Sequence, residues 1–455
     1  MKEFDLMVIG AGSGLEIVAE GVDRGLRVAV VESGPFGGTC LNRGCIPSKM
    51  LIHCADVMET IRRADLFGIK AKVEGVDWQF IIRRAFEEID AEAAGIEAAN
   101  RKAPTVGVFK GAGRFVDMKT LEVNGERIRA ETVVIAAGSR PVIPEIPGLS
   151  GVPHLTSDEA LRLPELPGSM TIVGGGYIAA ELAHFFGSLG TKVTIVYRGP
   201  QLMRTEDEQV ARRFTEVYRR KFNVLLNAQI SKVYRQGAGI ALEVSLGGHA
   251  ETVVSDTLLL ATGRVPNTDR LEVVRTGVEL DERGFVKVDG FLETRAPGIW
   301  ALGDIVGKYL LKHSANLEAA YVANNIFNKE HKAQVDYRAM PHAAFSSPQV
   351  ASVGLTEQEA KRQKVAYVAA SCEYSKTAYG ASIEDRDGFV KVLANPSTRE
   401  ILGCHIIGTD ASILIQEAVN AMRNGLTADS FGRSIYVHPA LPEVVQRAFG
   451  MLHFH

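Results

Sequence analysis

The chain has 455 residues, enough for about three domains at roughly 150 residues each. Lys+Arg and Asp+Glu total 51 and 54, leaving a net charge of −3 and a pI near 6.4, which excludes a strongly basic nucleic-acid binder and provides no polybasic membrane patch. Hydrophobic residues at 46% and charged residues at 23% are ordinary globular usage, so disorder, collagen and a pure coiled coil are set aside.

Met1 leads almost directly into a Gly-rich turn, with no apolar leader of signal-peptide type. No window of about 18 uninterrupted apolar residues predicts a transmembrane helix. The expectation is a soluble, cytoplasmic protein with no membrane or nucleic-acid partner. The five cysteines (Cys40, Cys45, Cys54, Cys372, Cys404) are too few and scattered for a secreted disulfide framework.

In chain order, one pattern appears twice. FDLMVIGAGSG (4–14), a helix-length segment and LRVAVVE (26–32) form the first copy. SMTIVGGGYIAAE (169–181), another helical segment and TKVTIVY (191–197) form the second. Each reads as a βαβ unit with a dinucleotide fingerprint. Gly10 and Gly174 allow the tight turn, and Gly12 and Gly176 let the backbone approach a pyrophosphate at the helix N-terminus. The first copy departs at its third position, where Leu15 replaces Gly or Ala, and Gly14 is expected to absorb the difference. TVVIAAGSRP (132–141) and TLLLATGRVP (257–266) echo each other after the two units. Two nucleotide-binding domains are therefore expected.

Between them, WQFIIRRAFEEIDAEAAGIEAANRK (78–102) predicts a long helix. After about residue 336, HAAFSS (342–347) and GFVKVLAN (388–395) read as antiparallel strands, and SILIQEAVNAMRNG (412–425) and PEVVQRAFGM (442–451) as helices. The fold class is α/β, with two Rossmann-like domains and a C-terminal α+β domain. The expected boundaries are 1–148 with 269–336, 149–268, and 337–455. His453 and His455 read as a mobile tail.

Glu32 ends its strand about 20 residues after Gly10, where a carboxylate accepts hydrogen bonds from an unphosphorylated ribose, as in FAD. The equivalent residue in the second copy is Tyr197, followed by Arg198 and Arg204. A 2′-phosphate would be repelled by a carboxylate and bound by guanidinium groups, so the second site reads as NADPH rather than NADH. The two arginines otherwise read as solvated loop residues.

GGTCLNRGCIPSK (37–49) holds Cys40 and Cys45. Five residues apart in an ideal helix, the two would be separated by about 7.5 Å along the axis, beyond disulfide reach, so a bridge requires a distorted helical start. No second Cys/His pair at zinc spacing accompanies them, and no metal is expected. Beside two dinucleotide folds the pair reads as a redox disulfide. Cys54, Cys372 and Cys404 read as buried small hydrophobes.

These motifs, with WALGDI (300–305) and HPALPE (438–443), resemble the class I flavoprotein disulfide reductases, or pyridine nucleotide–disulfide oxidoreductases, over nearly the whole chain. The resemblance implies FAD, a nicotinamide cofactor and a homodimer sharing its active site. It implies Cys45 as a charge-transfer thiolate against the flavin and Cys40 as the interchange thiol. His438 would be the acid–base catalyst lent by the other subunit and oriented by Glu443. Lys49 and Glu181 resemble the pair near the flavin ring, Tyr177 the gate over the nicotinamide pocket, and Asp304 the residue holding the ribityl-phosphate region. Gly38, Thr39, Ala137 and Gly138 fall among the FAD contacts, and Gly263 among those of NADPH. Simpler readings exist: a helix-start residue for His438, an exposed lysine for Lys49, a packed aromatic for Tyr177, an N-cap for Asp304. Arg43, between the cysteines, is expected to draw a carboxylated disulfide. The implied activity is NADPH-dependent reduction of a low-molecular-weight disulfide. The alternatives are an NAD-linked dihydrolipoamide dehydrogenase and, further off, a mercuric reductase or a flavin-bound sensor without turnover.

Overall fold

The computed structural model describes residues 1–454. The chain divides into two compact units. The first comprises Met1–Met50, Phe80–Val142 and Gly263–Asp336; the second comprises Leu51–Gln79, Ile143–Thr262 and the chain from Tyr337 onward.

In the first unit, strand β1 (Lys2–Ile9) lies between β2 (Val28–Glu32) and β6 (Glu126–Ile135), parallel to both. The sheet continues outward through β3 (Val106–Lys110) on one side, and through β5 (Thr120–Val123) and β4 (Gly113–Asp117) on the other. The strand Ile299–Ala301 also pairs with β6. Leu6 to Ile9 and Val28 to Val31 are buried on both faces, which explains their unbroken apolar runs. Alternate residues serve opposite cores. Met7, Ile9, Ala29 and Val31 join one cluster; Leu6, Val8, Val28 and Val30 join the other, together with Ile17 and Val18 of α1 (Leu15–Asp23) and Val322 of the helix Lys312–Phe327.

The register aligns Ile9 with Val31 and Ile135, and Ile135 with Ala301. The Gly10 turn, Glu32, Ala136–Gly138 and Gly303–Asp304 therefore gather at the carboxyl edge of the sheet. Open α/β sheets bind their ligands at that edge.

The second unit repeats the arrangement. Strands Asn223–Leu225, Lys192–Val196, Ser169–Val173 and Thr257–Leu260 form a parallel sheet in that order, with Val173 aligned to Val196 and Leu260. A three-stranded antiparallel sheet, Ala228–Gln236, Gly239–Leu246 and His249–Ser255, accompanies it. The C-terminal segment forms a five-stranded antiparallel sheet in the order Pro341–Ala344, Gln349–Gly354, Ile401–Gly408, Phe389–Ala394, Val368–Glu373. Leu414 and Val445, from helices Ala411–Arg423 and Glu443–Gly450, pack in its core.

The mixed α/β class and the antiparallel C-terminal segment match the sequence reading, as does the long helix α4 (Trp78–Lys102). Cys372 and Cys404 are buried as expected, but Cys54 is only half-buried. His455 lies outside the described residues. No helix among the described residues is long and apolar enough to cross a membrane.

Candidate active site

The first Gly-rich turn is built on backbone contacts that exclude side chains. Gly10 sits at φ +109°, and a Cβ there would stand 2.2 Å from the Ala136 carbonyl oxygen. Gly38 (φ +66°) packs on Gly12, where a Cβ would lie 2.8 Å from the Gly12 Cα. Gly14 does take the role that Leu15 leaves open. A Cβ on Gly14 would meet Val8 Cγ1 at 2.7 Å, so Gly14 carries the close helix–strand approach. Glu32 fixes the turn from below: its Oε2 accepts Ala11 N–H at 2.8 Å and its Oε1 accepts Gly34 N–H at 2.7 Å. Each carboxylate oxygen keeps acceptor capacity for a ribose hydroxyl. Gly138 (φ +65°) has no atom within 4 Å of its Cβ position, and Ala137 O accepts Asn267 Nδ2–H at 2.8 Å. An open glycine edge, a helix N-terminus and an acid at the strand end fit a dinucleotide with an unphosphorylated ribose, as FAD requires.

Asp304 Oδ2 accepts Ser139 Oγ–H at 2.6 Å, and Arg264 Nε donates to the same Ser139 Oγ at 2.7 Å. Ser139 and Arg264, which the sequence reading did not single out, thus meet around the Asp304 side chain. The Arg43 guanidinium and the Glu32 carboxylate each lie 3.5 Å from the Cβ position of Gly34, which places Arg43 beside the Glu32 loop.

Cys40 lies in α2 (Gly38–Arg43), and Cys45 opens α3 (Cys45–Arg62). The distortion required between them is located at Gly44, whose backbone (φ −138°, ψ −117°) leaves the helical region. A Cβ at Gly44 would stand 2.8 Å from Thr39 O and 3.4 Å from the Cys40 Cα, so only glycine permits this break. Asn42 pins the start of α2, donating to Phe36 O at 2.8 Å and Gly38 O at 2.9 Å. Both cysteines are free thiols. The neighbouring Cys45 thiol, as hydrogen-bond partner, and then burial push the Cys40 thiol above its ordinary pKa, and the charge of Lys312 pulls the other way. Lys312 Nζ donates to Ser13 Oγ at 2.8 Å. Lys49 Nζ stands 3.4 Å from Ser48 Oγ.

The second turn has the same backbone. Gly174 sits at φ +147°, with Ala261 O 2.2 Å from its Cβ position. The Tyr197 ring lies over Gly175, where a Cβ would meet Cδ1 at 2.5 Å, while Gly176 is open. Tyr177 opens the helix Tyr177–Leu189 and is exposed. Glu181, one turn on, is buried and accepts Phe345 N–H at 2.9 Å. Arg198 and Arg204 are exposed. Gly263 (φ +114°) and Lys49 belong to the first unit, Glu181 and Tyr177 to the second.

Near the C-terminus, Glu443 Oε1 lies 2.8 Å from His438 Nδ1, and Oε2 accepts Ala440 N–H at 3.1 Å. The His438 bond, chiefly, holds the Glu443 carboxyl below its ordinary pKa. A carboxylate only accepts, so Nδ1 carries the hydrogen and Nε2 is left to exchange a proton. The His438 side chain is 68% exposed, and Ile435 and Val437 beside it are 101% and 79% exposed.

Two dinucleotide turns, a cysteine pair astride a helix break and a carboxylate-oriented histidine define a flavin- and pyridine-nucleotide-linked oxidoreductase acting on sulfur. The chain belongs to the pyridine nucleotide-disulphide oxidoreductases: that family's profile matches residues 4–325, and the profile of its dimerisation domain matches residues 340–449. It is 42% identical over 459 residues to the mycothione reductase of Mycobacterium tuberculosis (strain H37Rv), covering 98% of this chain and 99% of that one. It is 34% identical to the dihydrolipoyl dehydrogenase of Bacillus subtilis, covering 98% and 96% of the two chains. Among solved structures, the HOCl-induced flavoprotein disulfide reductase RclA of Escherichia coli superposes with a TM-score of 0.87 at 27% identity, covering 98% of this chain and 99% of that one.

Proposed function

We propose that this chain is an NADPH-dependent reductase of a low-molecular-weight disulfide, with Cys40 and Cys45 as its redox pair. The observation that carries the proposal is the break at Gly44, which packs against the Cys40 backbone and so frees Cys45 from the spacing an unbroken helix would impose.

Bound FAD, held by Gly10, Gly12, Gly14, Glu32, Gly38, Thr39, Lys49, Ala137, Gly138 and Asp304, would supply two-electron exchange between the nicotinamide and the cysteine pair. The protein's residues handle thiolates and protons. The Cys40 thiolate attacks one substrate sulfur; the substrate S–S bond breaks as a mixed disulfide forms. The departing thiolate takes a proton from the imidazolium of His438 of the partner subunit, whose tautomer Glu443 fixes. The Cys45 thiolate then attacks Cys40 Sγ, releasing the second substrate half as thiolate and closing the enzyme disulfide. These steps give the substrate two electrons and one proton; the second half, released as thiolate, takes its proton from solvent. The exposed Ile435 and Val437 beside His438 favour a homodimer with a shared site.

Tyr197, Arg198 and Arg204 favour the phosphorylated nucleotide, at a site completed by Gly174, Gly176 and Tyr177. In this reading residues 1–148 with 269–336 form the FAD domain, 149–268 the NADPH domain and 337–455 the dimerisation domain. The substrate class that the 42% identity to a mycothione reductase supports is a thiol disulfide of the mycothione type. The rival is an NAD-linked dihydrolipoyl dehydrogenase, which the 34% relatives favour and the absent acid at Tyr197 disfavours.

The test is steady-state oxidation of NADPH and NADH with mycothione, glutathione disulfide and lipoamide. NADPH with mycothione is expected to turn over fastest. A preference for NADH and lipoamide would install the rival, and a yellow protein inert to every disulfide would make it a sensor.

A further inference from the structure

We propose that Glu206 is the positioning residue for Arg204: anchored on His342 and Ser352 of the C-terminal sheet, it fixes the turn that presents the Arg204 guanidinium to the 2′-phosphate of NADPH. This inference rests on the reading of the second Gly-rich turn as an NADPH site.

Three observations carry it. The first is the turn that holds Arg204. Met203 N–H donates to Gly175 O at 2.7 Å, so the residue before Arg204 hangs on the Gly-rich turn. Glu206 N–H donates to Met203 O at 2.9 Å and closes a tight turn around Arg204 and Thr205. Met203 and Glu206 are buried, whereas Arg204 and Thr205 are exposed at the tip. The backbone thus brings Arg204 to the rim of the Gly-rich turn without burying it.

The second is the conformation of Met203. Its φ of +51° lies in the left-handed region, which a residue with a side chain holds only where its surroundings impose it. Gly175 O secures Met203 from one side, and the closing bond from Glu206 secures it from the other. Released from Glu206, the segment would relax, and Arg204, next in the chain, would move with it.

The third is what holds Glu206. His342 Nε2 lies 2.9 Å and 3.0 Å from its two carboxylate oxygens, Ser352 Oγ donates to Oε2 at 2.7 Å, and Gln358 Nε2 donates to its backbone carbonyl at 2.7 Å. His342 and Ser352 stand opposite each other on adjacent antiparallel strands, so both project from one face of the sheet. The anchor is therefore a pair of sheet residues rather than a loop. An acid two residues from an arginine on an open loop would pair with it and occupy the guanidinium. Here the carboxylate is turned into the core, and among the described residues no acid pairs with Arg204. A guanidinium held at its backbone also binds phosphate at a smaller entropic cost than one on a mobile loop.

The experiment measures NADP+ and NAD+ binding to the oxidised holoenzyme by isothermal titration calorimetry; the two nucleotides differ only in the 2′-phosphate. Glu206→Ala is expected to weaken NADP+ about tenfold and NAD+ less than about twofold, and Ser352→Ala to weaken NADP+ about threefold with NAD+ unmoved. In turnover the loss is expected in KM for NADPH, with kcat within about twofold of wild type. In an Arg204→Gln background, Glu206→Ala is expected to add nothing to the NADP+ loss, because it acts through the arginine. Equal losses for NADP+ and NAD+ would overturn the proposal, since a merely structural anchor disturbs the whole turn. Full additivity of Glu206→Ala and Arg204→Gln would overturn it as well. If Glu206→Ala fails to fold, Ser352→Ala decides alone, and an unchanged ratio of NADP+ to NAD+ affinity overturns the proposal. The underlying reading fails separately. If Arg204→Gln weakens both nucleotides alike, Arg204 does not meet the 2′-phosphate, and the proposal falls with that assignment. A loss selective for NADP+ in Arg204→Gln, with none in Glu206→Ala or Ser352→Ala, overturns the proposal alone.

Discussion

The two Gly-rich turns share a backbone and differ in what anchors it. Gly10 and Gly174 both take positive φ, and a Cβ on either would stand 2.2 Å from the carbonyl oxygen of Ala136 or Ala261. The first turn is tied by a carboxylate, with Glu32 accepting two backbone N–H groups. The second has no acid. Tyr197 lays its ring on Gly175 and Gly199 instead, and Met203 N–H donates to Gly175 O at 2.7 Å. Just beyond, Glu206 and Asp207 enter a buried ionic network. Lys391 Nζ lies 2.9 Å from both Asp207 oxygens and 2.6 Å from Glu357 Oε2; His342 Nε2 lies 2.9 Å and Ser352 Oγ 2.7 Å from Glu206 oxygens. A fold can thus keep one turn geometry while exchanging an acid for an aromatic plate.

The sharpest way to break the comparison is to block each turn separately. Gly10→Ala and Gly174→Ala both place a methyl against a backbone carbonyl at forbidden φ, a strain of about 2–6 kcal/mol. Gly10→Ala is expected to purify without flavin colour. Gly174→Ala is expected to stay yellow but to lose bleaching by NADPH in stopped-flow absorbance. If both proteins lost only their colour, or only their bleaching, the two turns would not serve separate nucleotides.

The network below the second turn gives the next effect. Asp207 and Lys391 are both almost fully buried. Asp207→Asn leaves a buried ammonium short of one charge partner, at a cost of about 3–5 kcal/mol in urea unfolding. Adding Lys391→Met is expected to recover part of that loss. Additive losses in the double variant would show that the pair is not coupled.

Arg198→Glu tests the missing acid. A lost charge-assisted bond of about 1.5–3 kcal/mol corresponds to roughly 10- to 100-fold in kcat/KM for NADPH, with little change for NADH. An equal fall for both nucleotides would remove Arg198 from the 2′-phosphate.

How much of this was readable in the sequence follows from distance along the chain. Gly10, Gly174 and the need for a distorted helix between Cys40 and Cys45 are local matters, and the structure agrees with them. Gly14 could be anticipated because its partner, Val8, lies in the same motif. Gly175 could not, because the ring that forbids its side chain belongs to Tyr197, 22 residues on, just past the end of the next strand. The Ser139–Asp304 and Ser139–Arg264 contacts span 165 and 125 residues, and Lys312 reaches Ser13 across 299, so no spacing rule marks them. That α2 carries Arg43 toward Gly34 was likewise not marked by its place between the cysteines.

The smallest effect concerns pH. Burial pushes the His342 imidazole down, but the bond and charge of Glu206 outweigh it and leave its pKa above the ordinary 6.5. Burial likewise pushes Glu206 up, yet His342 and Ser352 bring its carboxyl below 4.5. The raised imidazole contributes stability in full below about pH 6.5 and loses it as pH rises through its folded value; the depressed carboxyl contributes above about pH 4.5 and loses it as pH falls further. The pair therefore stabilises most between those limits. Because the His342 side chain is 44% exposed, solvent screening keeps the contribution under about 1 kcal/mol. Wild type is expected to exceed His342→Gln in Tm by more at pH 6 than at pH 8.5. In the first turn Glu32 accepts two backbone N–H groups, so a Glu32→Gln variant should show no such narrowing across the same interval. A Tm difference for His342→Gln that stayed constant from pH 6 to pH 8.5 would mean that the second turn's anchor draws no stability from a charged imidazole.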